Sequence, residues 1–143
     1  MTNDIGLEQV HSDDRGSITV IRQGPKEIAT ITLNSDGAIR GGHSHPYDSY
    51  TIIFNGVVDY IWADSESKPS ESRFKRFDSQ KENIINVPKN VPHLLVSVGE
   101  SIISEMKKGF GLYATKDYNP YRNIIKLEKR LTTEEIVDIL RGQ

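Results

Sequence analysis

The sequence predicts an all-β fold, an antiparallel sandwich or barrel with one short C-terminal helix. Three observations carry this. Short runs rich in Ile, Val, Thr, Tyr and Phe recur along the chain; Gly, Pro, Asn, Asp and Ser clusters separate them at close intervals; and helical periodicity appears only near the end. Seven to nine such runs precede any helix, a spacing that favours an antiparallel sheet over alternating strands and helices.

Taken in order, HSDDRGS (11–17) is a polar turn and SITVI (17–21) a first strand. IATITL (28–33) is the next strand, closed by NSDG (34–37). YTIIF (50–54) and VVDYIW (57–62) flank Asn55-Gly56, a pair that supplies the positive φ angles of a tight turn, so a hairpin is expected there. ADSESKPSES (63–72) is an exposed loop, and RFKRF (73–77) alternates charge with aromatic as a half-wet strand does. ENIINVP, HLLVSV and SIISEMK give three more strands, and 109–113 a further one. Tyr118 to Arg122 is read as a connecting loop. Thr132 then offers a capping box with Glu135, and Ile136, Ile139 and Leu140 repeat at helical spacing, which predicts a helix over roughly Thr133 to Arg141, packed on the outside of the sheet or against a second subunit.

The 143 residues fit one domain, with a β barrel over about 11–115 and a C-terminal loop and helix over about 116–143. With 18 Lys and Arg against 20 Asp and Glu, the chain lacks the basic balance of a nucleic-acid-binding protein. It has no cysteine, so disulfides, thiolate ligands and thiol nucleophiles are excluded, and any metal must be held by His, carboxylate or water. No apolar run approaches the ~20 residues of a membrane-spanning helix, and MTNDIGLEQV lacks the basic and apolar regions of a signal peptide. A cytoplasmic protein without membrane or nucleic-acid partners is expected.

The chemistry is expected in Gly37 to Gly56, GAIRGGHSHPYDSYTIIFNG. His43 and His45 are one residue apart, and alternate positions on a strand share a face, so the two imidazoles can converge. His93 stands far downstream, before another apolar run.

Gly37, His43, His45 and Gly56 at this spacing resemble the first signature of the cupin superfamily, and Pro88, Asn90 and His93 in VPKNVPH resemble the second. The resemblance implies a double-stranded β-helix, or jelly-roll barrel, with a site inside its mouth and one divalent transition metal, such as Zn, Fe, Ni or Mn, on His43, His45 and His93. Two positions depart from the pattern. Ser49 and Tyr50 stand where a Glu ligand is usual, with Asp48 just ahead, and Asn83 and Ser97 replace the Gly and Asn that bracket the second signature. Three His ligands still leave an open position for water or substrate.

Asp13-Asp14-Arg15-Gly16-Ser17 resembles the Asp-x-Arg-Gly stretch of the cupins that act on nucleotide-linked deoxysugars, the epimerases and 3,4-ketoisomerases. That branch implies a keto-deoxysugar nucleotide as substrate, Arg15 on its phosphates, His43 or His45 as the base and a Tyr as the opposing acid. Tyr47, Tyr50 and Tyr60 are nearby; Tyr50 is the candidate acid and Tyr60 a candidate substrate contact. An imidazole with an ordinary pKa near 6.5 can remove a proton α to a ketone at neutral pH. The alternative is a small metal-binding cupin with a three-His site, either a metalloenzyme or a ligand-binding module. Cupins often pair through edge strands, so a homodimer is expected.

Overall fold

In the computed structural model, which describes residues 4–64, 68–108 and 114–143, strands dominate and curl into one antiparallel sheet. The strands are β1 (Ile5–Asp13), β2 (Gly16–Gln23), β3 (Lys26–Asn34), β4 (Ile39–Ser44), β5 (Ser49–Trp62), β6 (Arg73–Asp78), β7 (Ile84–Val87), β8 (His93–Lys107) and β9 (Lys116–Asp117). Helices α1 (Asn119–Lys126) and α2 (Thr133–Arg141) follow, and a 3₁₀ turn at Pro69–Glu71 interrupts the β5–β6 connection. Hydrogen bonding runs β1-β2-β3-β8-β4-β9, while β5 pairs with β6, β7 and β8. The long strands β5 and β8 thus belong to both halves of the curl and hold it closed.

The expected hairpin at Asn55-Gly56 does not form. β5 runs through that dipeptide as one strand, laddered to β8 from Ser49↔Lys107 to Trp62↔His93, with register shifts between Ile53 and Val57. Asn55 keeps a negative φ, and only Gly56 takes a positive one, +106°. The pair therefore makes a bulge that bends the strand. A Cβ at Gly56 would lie 2.6 Å from the Glu100 carbonyl oxygen, so a side chain is excluded by contact as well as by φ. HLLVSV and SIISEMK likewise form the single bent strand β8.

Besides the two-residue β9 and the 3₁₀ turn, two longer elements were not expected from the sequence. β1 precedes the strand anticipated at 17–21 and is exposed along its whole length, so no burial pattern marks it. α1 occupies the region read as a loop; Pro120 sits in its first turn, where a missing N–H costs nothing, and Tyr121 and Ile124 are buried. α2 has the expected bounds and both halves of its capping box: Glu135 N donates to Thr132 Oγ1 (3.1 Å) and Thr132 N donates to Glu135 Oε1 (3.0 Å). The strand expected at 109–113 lies outside the described residues.

Alternation along the strands divides the buried residues into two cores. Ile53, Val58, Tyr60, Phe77, Ile85, Val87, Leu95 and Ile103 fill the barrel interior. Ile39, Ile61, Leu94 and Val96 face outward and are covered by Tyr121 and Ile124 of α1 and Ile136, Val137 and Leu140 of α2. Asp59, fully buried in this outer layer, ties α2 down: it accepts from Thr133 Oγ1 at 2.6 Å and from Arg76 Nε and Nη2 at 2.8 and 3.0 Å.

Candidate metal centre

β4 and β8 pair as Ile39↔Val96, Arg40↔Leu95, Gly41↔Leu94 and His43↔His93, so Gly42 is an extra residue on β4. That bulge resets the alternation, and Arg40, His43 and His45 all face the interior on the side of Leu95 and His93. Gly41 permits the close approach: a Cβ there would lie 2.7 Å from the His93 carbonyl oxygen. The two sequence signatures also touch. Asn90 N donates to the His45 carbonyl (2.6 Å), and Lys89 N donates to Asp48 Oδ1 (2.9 Å). Asp48 therefore fixes the loop that delivers His93 and does not join the histidines.

One candidate ligand atom from each of His43, His45 and His93 lies within 4.8 Å of the others, and the ring centroids are 4.7 to 5.4 Å apart. Two rings are oriented by backbone carbonyls, His45 through Nδ1 to Ala114 O (2.9 Å) and His93 through Nδ1 to Val91 O (3.2 Å). An Nδ1–H donated in this way leaves Nε2 with its lone pair, the form a metal takes. His43 Nε2 is buried with no hydrogen-bond partner. Burial, followed by the charges of His45 and Arg122, lowers the His43 pKa from 6.5 to about 4. Burial, followed by the charge of His43, lowers that of His93 to about 3. Both imidazoles are thus neutral near pH 7, as ligands must be. The residues fit a three-His metal centre.

A cavity of about 240 Å³ opens against His43 and His45, walled by Thr30, Tyr47, Ser49 and Glu105 among others. The Tyr47 ring stacks on His45 at 5.1 Å. Tyr60 faces the same interior, stacked on Trp62 and 6.2 Å from the His93 ring; its hydroxyl is buried without a partner, and burial raises its pKa.

The structure does not bring Tyr50 or Arg15 to the histidines. Tyr50 lies between inward-facing Ser49 and Thr51, so its ring is on the opposite face of β5, under the Lys108 ammonium at 5.8 Å. Arg15 sits in the β1–β2 turn with its guanidinium on Asp13, through Nε at 3.1 Å and Nη2 at 2.9 Å, and holds that carboxyl well below its usual pKa. It lines a separate groove of about 690 Å³ with Asp36, Arg122 and Arg130.

Two interior residues were missed. Arg40 is only 7% exposed; its Nε donates to Asn34 Oδ1 at 3.0 Å, and Nη2 is buried without a partner. Strict alternation would place a residue three before His43 on the opposite face, and the Gly42 bulge reverses that. Glu105 stands on the return half of β8, opposite Thr51, and carries no local sequence signal.

No protein-family model and no curated protein sequence matches the chain. Solved structures do. The capsular polysaccharide assembling protein CapF from Staphylococcus aureus has 17% identity over 75% of this chain and 30% of its own, with a TM-score of 0.60. Oxalate decarboxylase from Bacillus subtilis, a protein with Mn(II) centres, has 16% identity over 93% of this chain and 37% of its own, at 0.63. The oxalate decarboxylase of Lactobacillus farciminis, solved as a formate complex, has 17% identity over 91% and 40%, at 0.62. The chain spans a third or so of the length of these proteins. Likeness at this level is one of fold, and the fold is the cupin barrel.

Proposed function

We propose, taking the cupin barrel as the premise, that His43, His45 and His93 hold one divalent transition metal and that the chain acts on a small molecule bound beside it. One observation carries this reading: three imidazoles converge, and the Nε2 of His43 is buried with no partner among the described residues. An unpaired buried acceptor is costly unless something absent from the chain satisfies it. A metal there would act as a Lewis acid, polarising a carbonyl or carboxylate oxygen at its open position.

The chain's own residues suit a compact ligand. The cavity volume of about 240 Å³ falls short of the 300–1,000 Å³ common for drug-sized ligands. Arg40 Nη2 and the Tyr60 hydroxyl are buried in the barrel interior without partners but do not line this cavity; its own polar wall, Thr30, Tyr47, Ser49 and Glu105, offers hydroxyls and one carboxyl to the ligand.

A keto-deoxysugar nucleotide remains the second reading, favoured by the match to a capsular polysaccharide assembling protein over three quarters of this chain. In that reading His43 or His45 moves the proton, and Tyr47, stacked on His45, is better placed than Tyr50 to answer it. Arg15 would meet the nucleotide only outside the histidine cavity.

Metal analysis by mass spectrometry on protein never exposed to a nickel column tests the first reading. About one transition-metal ion per chain is expected, falling to below about a tenth in His93→Ala, since each lost imidazole removes one of three ligands. Metal-free protein that takes up no Zn²⁺ or Mn²⁺ on titration sinks it. A keto-deoxysugar nucleotide at millimolar concentration that leaves the melting temperature unchanged sinks the second.

A further inference from the structure

We infer that Glu105 is the proton acceptor of this cavity, facing the molecule bound at the open position of the metal. The inference rests on the three-His reading above and assigns a role that none of the histidines can then fill.

With Nε2 of each histidine committed to the metal, no imidazole retains a lone pair to take a proton from a ligand. Among the described residues, the cavity wall has four other ionisable side chains: Glu27, Tyr47, Glu105 and Lys107. Glu27 lies at the start of β3 and Lys107 at the end of β8, both at the rim. Tyr47 is stacked on His45 and is a donor at neutral pH. Glu105 alone combines an acceptor side chain with a fixed place in the wall. Its inward direction follows from the ladder, where Thr51↔Glu105 continues the row of Ile53↔Ile103, and both isoleucines are buried in the interior. Its amide is fastened to Thr30 Oγ1 across β3, at 3.2 Å.

The carboxyl is in the cavity and not in the ligand set, since the described residues that converge within ligand distance are the three histidines alone. It senses both His45 and Arg40 electrostatically, while burial raises its pKa. Those are the surroundings of an acid–base group. The carboxylate that the usual first signature provides at positions 49 or 50 thus has a counterpart from another strand, outside the three-His cluster. In the step this implies, a C–H or O–H bond of the ligand breaks, the proton passes to a Glu105 carboxylate oxygen, and the electron pair stays on the ligand.

The full chain loaded with Co²⁺, compared with Glu105→Gln, tests it with two small probes read from the visible spectrum of the metal. Acetohydroxamic acid gives up a proton on binding a metal, whereas azide has none to give. Glu105→Gln is expected to keep the Co²⁺ affinity within about threefold and to weaken acetohydroxamate at least about tenfold without weakening azide, in line with the loss of one charged hydrogen bond. Should Glu105→Gln not fold, Glu105→Asp, which draws the carboxylate back, is expected to show the same contrast in smaller degree. Equal effects on both probes, no effect on either, or a loss of Co²⁺ affinity beyond about tenfold would overturn the assignment; the last would make Glu105 a ligand. A wild-type chain that takes up no Co²⁺ overturns instead the metal centre itself.

Discussion

Tyr60 shows how much of a site can be read from one side chain. Its ring is packed as core, yet its hydroxyl is buried with no partner, a cost of about 1–3 kcal/mol that a Phe would not incur. Tyr60→Phe is therefore expected to leave the metal-free protein as stable as the wild type or more so, by about 1 kcal/mol in urea unfolding. A clear loss of stability would mean the hydroxyl is satisfied within the chain. The histidines make a second residue-level prediction, with a definite sign. In the folded protein His43 and His93 titrate at about 4 and about 3, against 6.5 when unfolded. Below pH 6.5 the unfolded chain gains protons that the folded chain refuses, so the stability of the metal-free protein falls as pH drops from about 6.5 towards 4. A melting temperature flat over that window would contradict the burial of these rings. Part of this was legible from spacing: two residues apart, His43 and His45 were expected on one face, and their rings do meet, although β4 ends at Ser44. That His93 lies opposite His43 was legible only through the resemblance, because register is not a local property.

Among the elements, β5 and β8 decide the shape. The sequence offers Asn55-Gly56 as a turn, and the local preference is real, but a turn there would forfeit the ladder that β5 makes with β8 on both sides of the bulge. Cross-strand pairing over two long strands outweighs the preference of one dipeptide, which is spent on a bend. Gly56→Ala is accordingly expected to destabilise the protein by about 2 kcal/mol or more, through its positive φ and the 2.6 Å approach to Glu100 O, in chemical denaturation. A neutral Gly56→Ala would return the dipeptide to an ordinary turn. α2 lies at the other extreme. Its capping box and apolar spacing are local, and its bounds were legible to the residue; α1 was not, because its Pro120 reads equally as a loop and its buried face is too short to establish a period.

For the molecule as a whole, the exposed edge is the feature left to explain. Among the described residues β1 pairs only with β2 and leaves Ile5 and Leu7 60% and 69% exposed, an open strand edge that natural proteins normally protect. We expect a homodimer that covers β1, seen by light scattering and reduced to monomer by Leu7→Lys; a wild-type monomer at micromolar concentration would refute it. No helix among the described residues is long and apolar enough to cross a membrane.

The sequence by itself determined the β class, the C-terminal helix and the parity that puts two histidines on one face, since each depends on neighbours a few residues apart. Tertiary structure alone decided which residues join them. The Gly42 bulge turns Arg40 inward, Asp13 keeps Arg15 in its turn, and the return half of β8 carries Glu105 into the cavity from sixty residues downstream. Those placements depend on strand register, which is fixed by the summed pairing of whole strands and leaves no mark at the residues it positions.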